Sequence, residues 1–111
     1  MSPSPLEYLK HIFDKLCYLE ETSRQISEEE FCKSATYQRA FARSFEIIGE
    51  ATKQLDKAFR EKHSTLPWSY MAKMRNKLIH HYFGIDHELI WNTVQQDIPE
   101  LKNSVQKLLQ N

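Results

Sequence analysis

The sequence predicts an all-α fold, a mostly antiparallel bundle of about five helices forming one domain over residues 1–111. Three observations carry that prediction. Glycine occurs only at Gly49 and Gly84, whereas the good helix formers Leu, Ala, Glu, Lys and Gln are common. Apolar residues recur at steps of three and four in every hydrophobic segment, and no alternation lasts long enough for a strand. The chain has 111 residues, 41% of them hydrophobic, which is enough for one core and too little for two.

Helix one opens at Ser4-Pro5-Leu6-Glu7, a capping box with proline at the first helical position. Leu6, Leu9, Ile12, Phe13, Leu16, Cys17 and Leu19 follow at helical spacing to about Glu21. Ser27-Glu28-Glu29-Glu30 is a second capping box, opening either a short turn of helix or an early start to helix two. Helix two is the longest, from about Thr36 to Lys62, with Tyr37, Phe41, Phe45, Ile48, Thr52, Leu55 and Phe59 along its inner stripe. Gly49 projects close to that stripe, where the missing side chain lets another backbone approach. Arg39, Arg43, Glu46, Glu50, Lys53 and Lys57 occupy the opposite side, the composition of a solvated face. Helix three runs from near Pro67 to about Tyr82 and stops before Gly84. Asp86 caps helix four, with Leu89, Ile90, Trp91 and Val94 as its apolar positions. Pro99 marks the start of helix five, whose Leu101, Val105, Leu108 and Leu109 face inward. Short connections make neighbours antiparallel, with helices one and two as the long pair.

Charge and composition exclude several function classes. Fifteen basic residues balance fifteen acidic ones, so nucleic acid cannot be held by bulk charge and must find a local patch. Cys17 and Cys32 fit neither a disulfide framework nor a zinc-ligand spacing, and the five histidines contain no H-E-x-x-H. No metal and no cofactor is expected. The Met1-Ser2-Pro3-Ser4-Pro5 start lacks a basic and apolar leader, and no segment reaches the ~20 apolar residues of a membrane span. The cytoplasm is the expected compartment.

Helix three departs from these patterns. Trp68, Met71, Ala72, Leu78, Ile79 and Tyr82 form an apolar stripe with Arg75 in its middle. A buried guanidinium needs a carboxylate, an interface with another chain, or an anionic ligand. The plainest answer is an ion pair with Glu46 or Glu50. Between Met71 and Ile85 there is no acidic residue, while Lys73, Arg75, Lys77, His80 and His81 accumulate into a local positive patch that suits phosphate. Asn76 and His80 stand four apart, a spacing at which an amide orients an imidazole on one helix face. Arg75 and His80, five apart, project about 140° from each other on an ideal helix. A two-fold axis near this helix would bring both residues of two copies into one cleft.

Arg75-Asn76-Lys77-Leu78-Ile79-His80-His81-Tyr82 resembles the R-x4-H-x-Y signature of HEPN-domain proteins, in the HepT toxin branch. Glu46-Ile47-Ile48-Gly49-Glu50-Ala51, Leu66-Pro67-Trp68, Tyr82-Phe83-Gly84-Ile85-Asp86 and Asp97-Ile98-Pro99-Glu100-Leu101 look like that branch too, extending the likeness over residues 6–109. Lys73 stands where the branch usually has glycine and adds charge beside the site. His81 is at a variable position; His80 has the matching spacing. The resemblance implies a HEPN-like bundle acting as a homodimer and a metal-independent, RNA-cleaving toxin. It implies Arg75 and His80 as catalytic residues, Asn76 in support, and Lys73, Lys77 and His81 as possible RNA contacts. The implied partner is a minimal nucleotidyltransferase antitoxin of the MntA type, which silences the toxin by transferring AMP to Tyr82.

Two other functions compete. The chain could be a catalytically silent helical module that docks a minimal nucleotidyltransferase, but the intact Arg75, Asn76, His80 and Tyr82 favour activity. It could be a helix-turn-helix DNA binder using helix three, but that helix has an apolar flank and no typical recognition turn.

Overall fold

The computed structural model describes residues 4–80 and 84–110. Among them are seven helices: α1 (Pro5–Gln25), α2 (Glu28–Lys33), α3 (Ala35–Gln54), α4 (Lys57–Lys62), α5 (Trp68–Leu78), α6 (His87–Gln96) and α7 (Ile98–Gln110). A two-residue antiparallel pairing of β1 (Ile79–His80) with β2 (Gly84–Ile85) lies between α5 and α6. The class is all-α as the periodicity predicts. None of the described helices is long and apolar enough to cross a membrane.

Local caps turn five predicted segments into seven helices. Ser4 accepts from the Glu7 amide at 3.3 Å and opens α1. At Ser27 the capping box is complete, since the Ser27 hydroxyl accepts from the Glu30 amide and the Glu30 carboxylate accepts from the Ser27 amide. That box starts α2, and the extended Ser34, whose hydroxyl accepts from the Tyr37 amide, separates it from α3. The predicted long second helix is also divided. Asp56 accepts from the Phe59 amide at 2.8 Å and starts α4. Arg60 then donates to the Thr52 carbonyl at 2.7 Å, a second donor to an oxygen that already accepts from the Leu55 amide at 3.1 Å at the end of α3.

Tyr18 packs edge-on against Phe41, while Tyr8 shares a groove with Ile47, Glu50 and Ala51 near the other end of α1. Helices α1 and α3 therefore run antiparallel. Leu9, Ile12, Leu16 and Leu19 of α1 meet Phe41, Phe45 and Ile48 of α3, and all are essentially inaccessible. Met71, Met74 and Leu78 close the core from α5, and Ile90, Val94, Ile98, Leu101 and Val105 from α6 and α7. The buried Glu20 carboxylate ties α1 to α7 through Lys102 at 2.9 Å, and that hydrogen bond raises the Lys102 pKa. Leu6, predicted to face inward, is instead 49% exposed. Cys17 is half-buried, and burial pushes its thiol above the ordinary value, as befits an inert side chain.

Candidate active site

Helix α5 starts just after Pro67, with the Met71 amide donating to the Pro67 carbonyl and the Trp68 indole anchored on the His63 carbonyl at 2.9 Å. Its buried positions, Met71, Met74 and Leu78, follow helical spacing and face the core. The fit against α3 is close at one point. A Cβ added at Gly49 would lie 3.2 Å from the Ala72 carbonyl oxygen, the close backbone approach that the mid-helix glycine predicts.

One turn away from Gly49, the same contact places Glu46 beside Arg75, with Nε 3.9 Å from Oε2. The pairs 49 with 72 and 46 with 75 make α3 and α5 antiparallel as well. Arg43 approaches the same Glu46 oxygen at 3.4 Å. Arg75 does not sit in the middle of a buried stripe: Met71, Met74 and Leu78 fill that stripe, and the Arg75 side chain lies on its edge, 38% exposed. Of the three answers to its charge, the carboxylate is the one realised, through Glu46 rather than the exposed Glu50. Burial of Arg75 therefore gives no reason for a second chain. A pair this long and this wet contributes at most about 1 kcal/mol, so an incoming anion can take the guanidinium from Glu46 at little cost.

The helix ends earlier than predicted. The Asp86 amide donates to the Leu78 carbonyl at 3.2 Å, and Ile79 and His80 pair with Ile85 and Gly84. The returning chain thus takes a carbonyl that a longer helix would have used. His80 is consequently a strand residue rather than a helical neighbour of Asn76, and neither the four-residue spacing nor the 140° angle describes its relation to α5. His81 and Tyr82 lie outside the described residues, and α5 stops at Leu78, short of the Tyr82 end that the sequence predicts.

Lys73 and Asn76 are exposed on α5. Lys77 is exposed too, but its amino group sits 5.3 Å from the centre of the Tyr70 ring, beside a cavity of about 350 Å3 that Asp97, Glu100 and Ser104 help to line. The structure therefore does not bring Lys77 to Arg75. Tyr70 donates its hydroxyl to Asp97, and burial together with that carboxylate raises the phenol pKa. This link joins α5 to the α6–α7 corner across 27 positions, and no sequence signal pointed to it. Among the described residues no three His, Cys, Asp or Glu side chains gather as metal ligands.

A helical bundle with a half-exposed arginine on an acid-free segment, followed at once by a histidine-bearing strand, defines a small all-α protein suited to phosphate chemistry. The profile of the ribonuclease HepT-like family matches residues 8–108, and the chain belongs to that family. It is 50% identical over 107 residues to a Caldanaerobacter subterraneus protein named as a candidate RNase, covering 96% of each chain. It is 44% identical to a Thermococcus cleftensis protein named a probable ribonuclease HepT, covering 97% of this chain and 98% of that one. A Methanocaldococcus jannaschii protein, named a gamma-glutamylcyclotransferase and candidate RNase, is 43% identical over 93% of this chain and 46% of its own length. No solved structure gave a significant match. Family membership makes the function of RNase type.

Proposed function

We propose that the whole chain acts as one domain, a metal-independent endoribonuclease that is the toxin half of a HepT/MntA-type toxin–antitoxin pair. The observation that carries this reading is the loosely held Arg75 guanidinium on the last turns of α5, directly before the strand that bears His80. In this reading His80 accepts the proton of a ribose 2′-hydroxyl. The 2′-oxygen attacks the adjacent phosphorus, the bond to the 5′-oxygen breaks, and that oxygen takes a proton from water while the protonated His80 returns its own to solvent. Arg75 leaves Glu46 and stabilises the charge that builds on the phosphorane, which is where a fixed cation contributes most. Asn76 orients the phosphate or the imidazole, and Lys73 and His81 supply further RNA contacts. The family resemblance supports a homodimer with the two α5 helices near the axis.

Cleavage should survive EDTA and leave 2′,3′-cyclic phosphate and 5′-hydroxyl ends, because internal attack needs a base and a cation but no activated water. Mass spectrometry of the RNA fragments reads this directly. Loss of activity on chelation, or 5′-phosphate ends, would contradict the mechanism.

Control in this reading falls on Tyr82. An AMP group there adds a phosphodiester charge and an adenosine next to the positive patch, where the phosphate competes for Arg75 and the base blocks entry. Co-expression with a cognate minimal nucleotidyltransferase should add AMP units to Tyr82, lost in Tyr82→Phe. Neutralisation that persists unchanged in Tyr82→Phe would point to steric capping by the partner instead.

A further inference from the structure

Helices α1, α3 and α5 lie side by side with α3 in the middle, and their outer face carries a groove between α1 and α3. The groove has a volume of about 450 Å3 and is lined by Lys10, His11, Asp14, Lys15, Arg43 and Ile47. We propose that this groove binds the single-stranded RNA flanking the phosphate that Arg75 engages, with Lys10, Lys15 and Arg43 as its phosphate contacts. The inference rests on the ribonuclease reading and extends it to a substrate track.

Charge is the first argument. The chain as a whole is neutral, yet this groove holds three permanent cations and one carboxylate. Asp14 offsets Lys15 at 3.3 Å, but the Asp14 side chain is 73% exposed and such pairs are weak. Among the described residues Lys10 has no carboxylate in ion-pair range. The contrast lies across α5, where the cavity beside Tyr70 sets Asp97 and Glu100 against the single cation Lys77 and so disfavours phosphate.

Continuity is the second argument. Arg43 lines the groove and approaches the same Glu46 oxygen that Arg75 approaches, at 3.4 and 3.9 Å. The two nitrogens can be no farther apart than those distances laid end to end, a span on the scale of neighbouring phosphates in a strand. Glu46 thus holds both guanidiniums in register until RNA replaces it. The half-buried Ile47 and the exposed His11 complete the lining with an apolar floor and a ring on which a splayed base can stack.

The test is fluorescence anisotropy with a short single-stranded RNA methylated at every 2′-oxygen, which binds but cannot be cut by internal attack. Lys10→Glu/Lys15→Glu should weaken binding about tenfold and flatten the dependence of log affinity on log salt by about 1.4, for two lost contacts at ~0.7 each. Lys33→Glu/Lys57→Glu, an equal charge change on α2 and α4, should bind as the unaltered protein does; circular dichroism verifies that both variants fold. Unaltered binding by the groove variant would overturn the proposal. So would an equal loss in both variants, or a loss that tracks a changed oligomeric mass, which would make this face an interface between copies. Cleavage of ordinary RNA separates the two readings. Groove-dependent binding without cutting defeats the ribonuclease mechanism alone, whereas cutting with groove-independent binding defeats the track alone.

Discussion

Alanine at His80 should lower the rate of RNA cleavage by about 10²–10⁴-fold, the usual worth of a positioned general base or acid. His81→Ala should be far milder, because His80 has the motif spacing. A larger loss at His81 would show that the other imidazole moves the proton. Arg75→Ala should cost about 10²–10³-fold, as removal of a donor aimed at developing oxyanion charge does. Arg75→Lys should recover only part of it, since an ammonium lacks the planar fork that grips two phosphate oxygens. These losses can be read as chemistry rather than unfolding. The pair between Arg75 and Glu46 is 3.9 Å long and only partly buried, so its removal should change stability by no more than about 1 kcal/mol. A thermal melt of Arg75→Ala checks that directly: a large fall in Tm would assign Arg75 a structural role instead.

Valine at Gly49 should destabilise the fold by about 2–3 kcal/mol, the range for forcing bulk into a filled contact. The reason is the Ala72 carbonyl, 3.2 Å from where the first carbon would go. Backbone cannot rotate aside as a side chain does, and both α3 and α5 are pinned by a core whose Phe45, Ile48, Met71 and Met74 are essentially inaccessible. A shift of Tm by about 10 °C or more should follow for a chain of this size. Gly49→Ala is the informative companion. It gains roughly 1 kcal/mol of helix propensity, while its single methyl requires a displacement of only a few tenths of an ångström, so the two effects nearly cancel. Equal stability for Gly49→Val and the unaltered protein would mean that α3 and α5 are not held together at this point.

The parts of the fold written in local chemistry were legible. Ser4, Ser27 and Asp86 each cap the helix their side chains predict, and Gly49 marks a close approach of two backbones. The boundary at Leu55 and Asp56 was hidden because Leu55 and Phe59 keep helical phase across it, so periodicity carries on where the capping carboxylate has already ended the helix. The end of α5 was hidden in the same way. Ile79 continues the apolar step after Leu78, whereas the bond that stops the helix comes from Asp86 on the returning chain. Arg75 does meet Glu46, one of the two carboxylates its position offers, but as a half-exposed contact at 3.9 Å and not as a buried charge. Its place at the edge of the stripe depends on how α5 is rotated against α3, which no single helix pattern specifies. Tyr70 and Asp97 could not be joined from sequence, since neither residue stands in a pattern that names the other.

The most direct test of the central claim is incubation of the purified protein with total RNA, with EDTA present, beside the Arg75→Ala/His80→Ala double variant. The account predicts that the unaltered protein cuts the RNA and that the folded double variant does not. Equal cutting by both, or none by either, would contradict an active site built on Arg75 and His80.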